Sequence, residues 1–370
     1  MVSSLPKTMK AVTFFGAHDI RVIDKPVPVI EETTDAIIKI HSTALCGSEL
    51  HPYRGAIIPP STGHTMGHEF TGVIVEVGSD VKNFETGDEV VSIFTTQCGK
   101  CFYCTHGVSS KCPQAFVFGT VGHDGGQAEY CRIPLADTTL KLKPKGIDDS
   151  IVILMADIFP TGYFGVKNLL EKIPEDQISS SVVVQLGCGP VGLCAIAAAK
   201  EKGIRTLYAI ESVPERLELA EKFGAIPLNL EKDNIEEIIN KATENRGADG
   251  VLEVVGSEDA LALGFKLVRN GGVISSIGYQ HGKIPFSGLD CYLKNVTLQF
   301  GRCPCYSLFQ EAIESFTKVA HLFKGFVDLN LPLSEAPKAY KLFEKHGARK
   351  IVFKPSLSSE KINGSSSLCS

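Results

Sequence analysis

The chain has 370 residues, a length that suits two or three domains at ~150 residues each. Its 44% hydrophobic and 21% charged residues and formal net charge of −5 describe an ordinary globular chain. That balance excludes a nucleic-acid-coating or polybasic membrane-surface protein, because both need a large cationic excess.

Residues 1–10 lack the apolar core of a secretory signal, so a cytoplasmic protein is expected. The first third then reads as strands and turns. Residues 36–40, 73–77 and 89–94 are β-branched runs bounded by glycine or charged turns. No long amphipathic helix separates them, which predicts an all-β, barrel-like unit. From about residue 158 the rhythm changes to strand, turn and helix. Strands are expected at 181–186, 206–210, 250–255 and 272–277, with helices at 190–202 and 214–223. Pro214 suits the first turn of the second helix. This alternation predicts an α/β unit with a doubly wound parallel sheet. Residues 182–199 carry no charge, yet Gly187, Gly189, Pro190 and Gly192 cut the run into a strand and a helix, so a membrane span is not expected. Beyond residue 300 come helices at 307–323 and 335–346 and a strand at 350–354. The end of the chain, with seven serines in 356–370, reads as disordered. The expected division is 1–156 with 301–356, then 157–300, then a tail at 357–370.

Twelve cysteines without a secretory signal point to metal rather than disulfides, above all because four crowd between Cys98 and Cys112. The spacing Cys98-x2-Cys101-x2-Cys104-x7-Cys112 lets four thiolates close a tetrahedron around zinc with no open position, hence a structural site. An iron–sulfur cluster or a redox pair uses the same residue type. The lobe is too small to hold a core, so a metal would hold it together.

Gly187-Cys188-Gly189-Pro190-Val191-Gly192 matches G-x-G-x-x-G and sits between an apolar strand and a helix, as a dinucleotide fold requires. The three glycines serve a tight turn, close approach of a pyrophosphate and helix–strand packing. Glu211, 19 residues beyond Gly192, can accept from ribose hydroxyls and would repel a 2′-phosphate. NAD(H) is therefore expected ahead of NADP(H), with nearby Arg216 working against that preference. Gly67-His68-Glu69 leads into a strand and, with Cys46, offers further ligand-type side chains. His64 reads as a surface residue of a glycine- and threonine-flanked loop.

Taken together, Cys46-Gly47-Ser48-Glu49-Leu50-His51, Gly67-His68-Glu69-Phe70-Thr71-Gly72 with Gly78, the four-cysteine lobe, Asp157-Ile158-Phe159-Pro160-Thr161-Gly162 and the glycine fingerprint resemble the zinc-dependent medium-chain alcohol dehydrogenase/reductase family over residues ~8–355. The resemblance implies a β-rich GroES-like catalytic domain beside a Rossmann domain, and two zinc ions per subunit. It implies a catalytic zinc on Cys46, His68 and a third ligand. The family's second cysteine is matched here by Asp157, as in the formaldehyde dehydrogenase/dismutase-like branch. Neutral His68 with anionic Cys46 and Asp157 would balance the ion's charge and leave one position open. Glu69 would be a neighbouring or alternate ligand, and the harder Asp157 carboxylate would leave the metal slightly more Lewis-acidic than a thiolate.

By the same resemblance, zinc activates the alcohol oxygen and hydride passes to nicotinamide, while Ser48 and His51 relay the proton through the cofactor ribose. Thr161 falls beside the nicotinamide, Phe94 in the substrate pocket wall, and Lys350 near the pyrophosphate, with Arg349 as its competitor. The implied function is an NAD(H)-linked alcohol dehydrogenase or carbonyl reductase, acting on a small alcohol, aldehyde or ketone as a homodimer or homotetramer. A formaldehyde dehydrogenase/dismutase-type aldehyde enzyme is the alternative, and a non-catalytic cofactor-binding protein a further one. Neither nucleic acid nor membrane is an expected partner. Tyr163-x3-Lys167 imitates the short-chain dehydrogenase pair but precedes the glycine fingerprint. Cys188, Cys194, Cys291, Cys303 and Cys305 read as plain packing residues.

Overall fold

The computed structural model describes residues 5–280 and 282–357. The disorder expected of the tail falls, for 358–370, outside the described residues. The chain divides into two compact units, one of Met1–Asp157, Pro304–Ser307 and Lys324–Ser370, the other of Ile158–Cys303 and Leu308–Phe323.

The first unit is β-rich. Its main sheet runs in the spatial order Leu329–Leu331, Ile351–Phe353, Ala36–Ala44, Glu69–Val77, Glu89–Ser92, Leu140–Leu142, and Tyr130–Ile133 also pairs with Ala36–Ala44. Every pairing is antiparallel except Leu329–Leu331 with Ile351–Phe353. A separate hairpin joins Thr8–Gly16 to Asp19–Pro26. The central strand shows why the sheet is covered on two sides. Ala36, Ile38 and Ile40 pack with Phe70, Ile74, Val90 and Phe118, while Ile37, one residue out of phase, packs with Met9, Ala11 and Ala128. Period-two alternation with both faces apolar demands two cores. A third core ties Leu45, Leu50 and Tyr53 to Tyr340 and Phe343 of the helix Ala336–Glu344. Full burial of each such side chain contributes roughly 1.5–3 kcal/mol.

The second unit holds six parallel strands in the order Ile226–Asn229, Thr206–Glu211, Val182–Leu186, Ala248–Glu253, Val268–Ser276, Thr297–Phe300. Counted in chain order within the unit this is 3-2-1-4-5-6, the doubly wound dinucleotide-binding topology. All five residues of Val182–Leu186 are buried, as a strand between two helical layers requires. The charge-free run is thus a strand followed by the helix Pro190–Glu201. Among the described residues no single helix is long and apolar enough to cross a membrane.

Residues 308–323 are expected with 301–356 in the first domain, but they pack in the second unit. Phe316 and Phe323 lie 4.6 and 5.9 Å, ring to ring, from Phe159, and Phe223 lies 5.1 Å from Phe323. These aromatic contacts between distant segments leave no local signal. The same applies to the helix Ile158–Leu170 and the short edge elements Ile226–Asn229 and Thr297–Phe300, which the pattern reading passes over.

Candidate active site

Four ligand-type side chains of the first unit converge. One donor atom each from Cys46, His68, Glu69 and Asp157 lies within 4.8 Å of all the others. Cys46 follows the strand Ala36–Ala44 in extended conformation and caps the turn Gly47–Glu49. His68 and Glu69 enter the next strand through Gly67, whose φ of +99° favours glycine, and a Cβ there would meet the Gln127 backbone nitrogen at 2.7 Å. Asp157 ends the turn Ile153–Ala156. His68 Nε2 is 3.3 Å from Asp157 Oδ2, and Cys46 Sγ is 3.9 Å from the same oxygen. The Ser48 hydroxyl, on an exposed residue, donates to Cys46 Sγ at 3.3 Å and stands 3.4 Å from His68 Nε2. Phe94 packs edge-on to the His68 ring at 6.4 Å.

This donor set fits a divalent cation. Burial raises the Cys46 thiol and the Glu69 carboxyl above their ordinary values, so both can ionise only beside positive charge. Glu69 Oε1 is buried with no hydrogen-bond partner, while Oε2 pairs with Lys350 Nζ at 2.5 Å. One thiolate, one imidazole and one carboxylate are borderline zinc ligands, and their distances suit a shared ion more than mutual hydrogen bonds.

Lys350 departs from the pyrophosphate expectation. It is 1% exposed, and its ammonium is spent on Glu69 and on the Leu45 carbonyl oxygen at 3.3 Å. Burial works against its charge, but the Glu69 carboxylate outweighs that and raises its pKa. Arg349 is tied as well, to Asp328 at 2.7 Å and to the carbonyls of Gly325 and Phe326. His51 lies in the short helix Leu50–Tyr53, three residues beyond Ser48.

Sequence reasoning passes over a supporting layer. Glu49 Oε1 faces His68 Nδ1 at 3.5 Å, and Glu49 Oε2 accepts from the Cys46 backbone N–H at 3.0 Å. Gln127 Nε2 donates to the same carboxylate at 3.1 Å, and the Tyr340 hydroxyl donates to Gln127 Oε1 at 2.9 Å. The signal for Glu49 was present, since a carboxylate three residues after a ligand cysteine can cap its turn. Gln127 and Tyr340 come from remote segments and had none.

Cys98, Cys101, Cys104 and Cys112 form a second cluster whose sulfurs all lie within 4.8 Å of one another. A single turn, Phe102–Thr105, and the turn Ser109–Lys111 place them. The Cys101 and Cys104 sulfurs are 3.6 Å apart, as are those of Cys98 and Cys112. Burial opposes ionisation of Cys98, yet the backbone N–H groups of Lys100 and Cys101 bring it down to about 7; Cys104, more buried and beside other thiols, is pushed up to about 12. A tetrathiolate set with no other donor fits a closed zinc site. None of the eleven described cysteines is disulfide-bonded.

In the second unit the glycine fingerprint has the expected division of labour. Gly187 has φ +96°, and a Cβ there would meet Val255 at 2.8 Å. Around Gly189 nothing lies within 4 Å of such a Cβ, which leaves room for a phosphate. A Cβ at Gly192 would run into the Gly187 carbonyl oxygen at 2.3 Å, and the Gln185 amide holds the carbonyls of Gly187 and Gly192, each at 2.9 Å. The helix Pro190–Glu201 begins directly after Gly189, its N-cap, so the free N–H groups of its first turn lie at that end. Glu211, at the end of its strand, accepts from the N–H groups of Cys188 (3.1 Å), Ser212 (2.9 Å) and Val213 (3.3 Å) and pairs with Arg216 at 3.4 Å. Burial opposes its charge, but these donors hold its carboxyl below the usual range. Thr161 lies on the helix Ile158–Leu170.

Several other expectations meet the structure plainly. Tyr163 and Lys167 both bind Glu311, at 3.2 and 2.7 Å, which is a packing role. Cys188, Cys194, Cys303 and Cys305 are buried, Cys291 is half-buried, and none joins a metal-binding group among the described residues. His64 is a correction: it is 7% exposed rather than on the surface, because its ring packs 5.4 Å from Phe14 and its carbonyl accepts from the Phe14 N–H.

A β-rich domain carrying a Cys/His/carboxylate metal centre, with a dinucleotide-binding domain in the same chain, defines a metal-dependent dehydrogenase. Family models agree: "Alcohol dehydrogenase GroES-like domain" matches residues 32–144 and "Zinc-binding dehydrogenase" residues 190–318. Zinc-type alcohol dehydrogenase B of Aspergillus flavus is 46% identical over 353 residues, 95% of this chain and 82% of that protein. Formaldehyde dismutase of Pseudomonas putida is 32% identical, covering 94% and 97% of the two chains. An alcohol dehydrogenase structure from Thermus sp. ATN1 superposes with a TM-score of 0.86 at 32% identity, covering 94% of this chain and 99% of the other. The chain belongs to the zinc-dependent medium-chain alcohol dehydrogenase family. It is an oxidoreductase that moves a hydride between an alcohol, or the matching carbonyl compound, and a nicotinamide cofactor.

Proposed function

We propose that the chain oxidises a small alcohol or reduces the matching aldehyde or ketone with NAD(H), using one catalytic zinc on Cys46, His68 and Asp157 and one structural zinc on Cys98, Cys101, Cys104 and Cys112. The observation that carries this is the convergence of a thiol, an imidazole and a carboxylate beside the accessible Ser48 hydroxyl. When bound, zinc supplies Lewis-acid activation of the substrate oxygen and the nicotinamide takes or gives the hydride. Cys46 and Asp157 contribute two negative charges to the centre and neutral His68 none. Glu69, tethered through Oε2 to Lys350, stays an outer neighbour whose second oxygen is available as an alternate ligand. Ser48 Oγ accepts the proton of the substrate hydroxyl as it gives up its own, and His51, three residues further on, delivers a proton to solvent. Phe94 closes one side with an apolar ring.

NAD is favoured over NADP because the Glu211 carboxylate is held ionised by four donors and would repel a 2′-phosphate. Gly187, Gly189, Pro190, Val191, Gly192, Glu211, Arg216 and Thr161 are the proposed cofactor residues. A cytoplasmic setting accords with cysteines that form no disulfide among the described residues. A homodimer or homotetramer is supported by the apolar rim of the second unit. There Leu289, Tyr292 and Leu293 of the helix Gly288–Lys294 and Phe300 of the edge strand are exposed.

Asp157 as third ligand, with the likeness to formaldehyde dismutase, supports an aldehyde-directed reading as the second choice. Two measurements test the proposal: zinc counting, and NADH formation across alcohols and hydrated aldehydes. Two zinc atoms per chain and alcohol turnover support it; turnover confined to hydrated aldehydes favours the second reading; one zinc or none refutes the two-site assignment. Glu211→Ser should raise kcat/KM with NADP relative to NAD by about tenfold, the worth of ~1.4 kcal/mol of relieved repulsion.

A further inference from the structure

Behind the metal centre runs a buried polar chain that the hydride chemistry does not itself require. Its members are Tyr340, Gln127, Glu49 and His68, respectively 0%, 0%, 5% and 6% exposed. Each link has a direction. The Tyr340 hydroxyl can act on Gln127 only as a donor, since it meets Oε1 at 2.9 Å. The acceptor-only Glu49 carboxylate fixes which way round the Gln127 amide sits, with Nε2 toward Glu49 and Oε1 left to take the Tyr340 hydroxyl proton. The other side of Nε2 reaches the Ala44 carbonyl at 3.5 Å, at the end of the strand that leads to Cys46. Glu49 is thereby held between the Gln127 amide and the Cys46 backbone N–H, with Oε1 left to face His68 Nδ1.

We propose that Tyr340 and Gln127 are positioning residues for the zinc centre: they lock the Glu49 carboxylate so that His68 carries its proton on Nδ1 and presents the Nε2 lone pair to the metal. The inference rests on the reading that Cys46, His68 and Asp157 hold zinc. Its physical basis is the buried carboxylate. In a low-dielectric interior Glu49 needs donors on both oxygens, and a flipped Gln127 would set its own carbonyl against a negative charge. A flipped amide, or a missing donor, frees Glu49 to rotate away from His68 and weakens the imidazole as a ligand. Outer partners of metal-bound histidines commonly change metal affinity by about 10–100-fold. Tyr340 is two hydrogen bonds further out than Glu49, so a smaller effect of about 3- to 10-fold follows. The chain also makes the helix Ala336–Glu344 part of the metal site, although no residue of it is a ligand.

The experiment is zinc release from the holoenzyme into excess chelator, followed for each of the two ions. Tyr340→Phe keeps the ring and its packing 5.3 Å from Tyr53 while removing the donor. The expected result is about 3- to 10-fold faster loss of one zinc, with release from the four-cysteine lobe unchanged as an internal control. In a Glu49→Gln background, where no carboxylate remains to be locked, Tyr340→Phe should add little. Equal acceleration of both ions, no acceleration of either, or the same effect in both backgrounds would overturn the inference. Gln127→Met guards against a cavity effect and should reproduce the selective loss at similar volume. Cys46→Ser reports on the underlying reading: it should leave one zinc per chain, and retention of two would remove the catalytic-zinc assignment itself.

Discussion

The two sulfur-bearing clusters of the first unit are built on opposite principles. Cys98, Cys101, Cys104 and Cys112 come from fifteen consecutive residues whose own apolar side chains face water, with Phe102 67% and Tyr103 42% exposed. Cys46, His68, Glu69 and Asp157 come from three remote segments, each anchored in a strand or a buried turn and backed by Glu49, Gln127 and Lys350. In the first case a metal would organise the peptide; in the second the fold organises the ligands. A site assembled by the fold can keep a coordination position open, because its shape does not depend on four protein bonds to the ion. A site assembled by its metal cannot, and is structural.

The sharpest way to break this comparison is to remove one ligand from the pre-organised cluster. Asp157→Ala is expected to lower kcat/KM about 1000-fold, since Lewis-acid activation is worth several kcal/mol. The lobe should keep its zinc and the thermal midpoint should hardly move. Loss of both metals in elemental analysis would show that the clusters are not independent. Next in size is the support behind the ligands. Lys350→Met leaves the Glu69 carboxylate buried without its cation and should cost about 3 kcal/mol or more in urea unfolding. Adding Glu69→Gln removes the stranded charge, so the double variant should regain a large part of that loss. If Lys350→Met alone is neutral, the pair is not holding Glu69 in place.

These sizes also explain what the sequence could reveal. The lobe was legible from spacing alone, because all its ligands lie within one short segment. The glycine fingerprint was legible because its roles are local backbone requirements: φ +96° at Gly187, open space at Gly189, and close packing at Gly192. The catalytic cluster was reached only through resemblance, since nothing in the spacing of 46, 68 and 157 says that these residues meet. Lys350 shows the limit. A basic residue near the chain's end matched a phosphate-binding role, but its surroundings decide otherwise. Only the fold reveals that the strand Ile351–Phe353 lies beside Ala36–Ala44, which brings Lys350 to Glu69. Gln127 and Tyr340 were hidden for the same reason, as single polar side chains 213 residues apart.

The smallest expected effect sharpens the comparison from the other side. Cys104→Ser should release the lobe's zinc and open residues 98–112 to hydrogen exchange and proteolysis, because a metal-organised peptide has little else to close it. The opening should stop at its anchors. Gln97 Nε2 donates to the Thr138 carbonyl at 2.6 Å, the Thr138 hydroxyl bonds the Gln97 carbonyl in return, and Ser109 Oγ accepts from the Ser307 backbone. Protection in Leu140–Leu142 and Ala36–Ala44 should therefore persist, and turnover should fall by about tenfold at most, far less than with Asp157→Ala. Exchange that spreads into the central strand would mean that the lobe's metal helps organise the sheet, and that the two clusters share one principle of assembly after all.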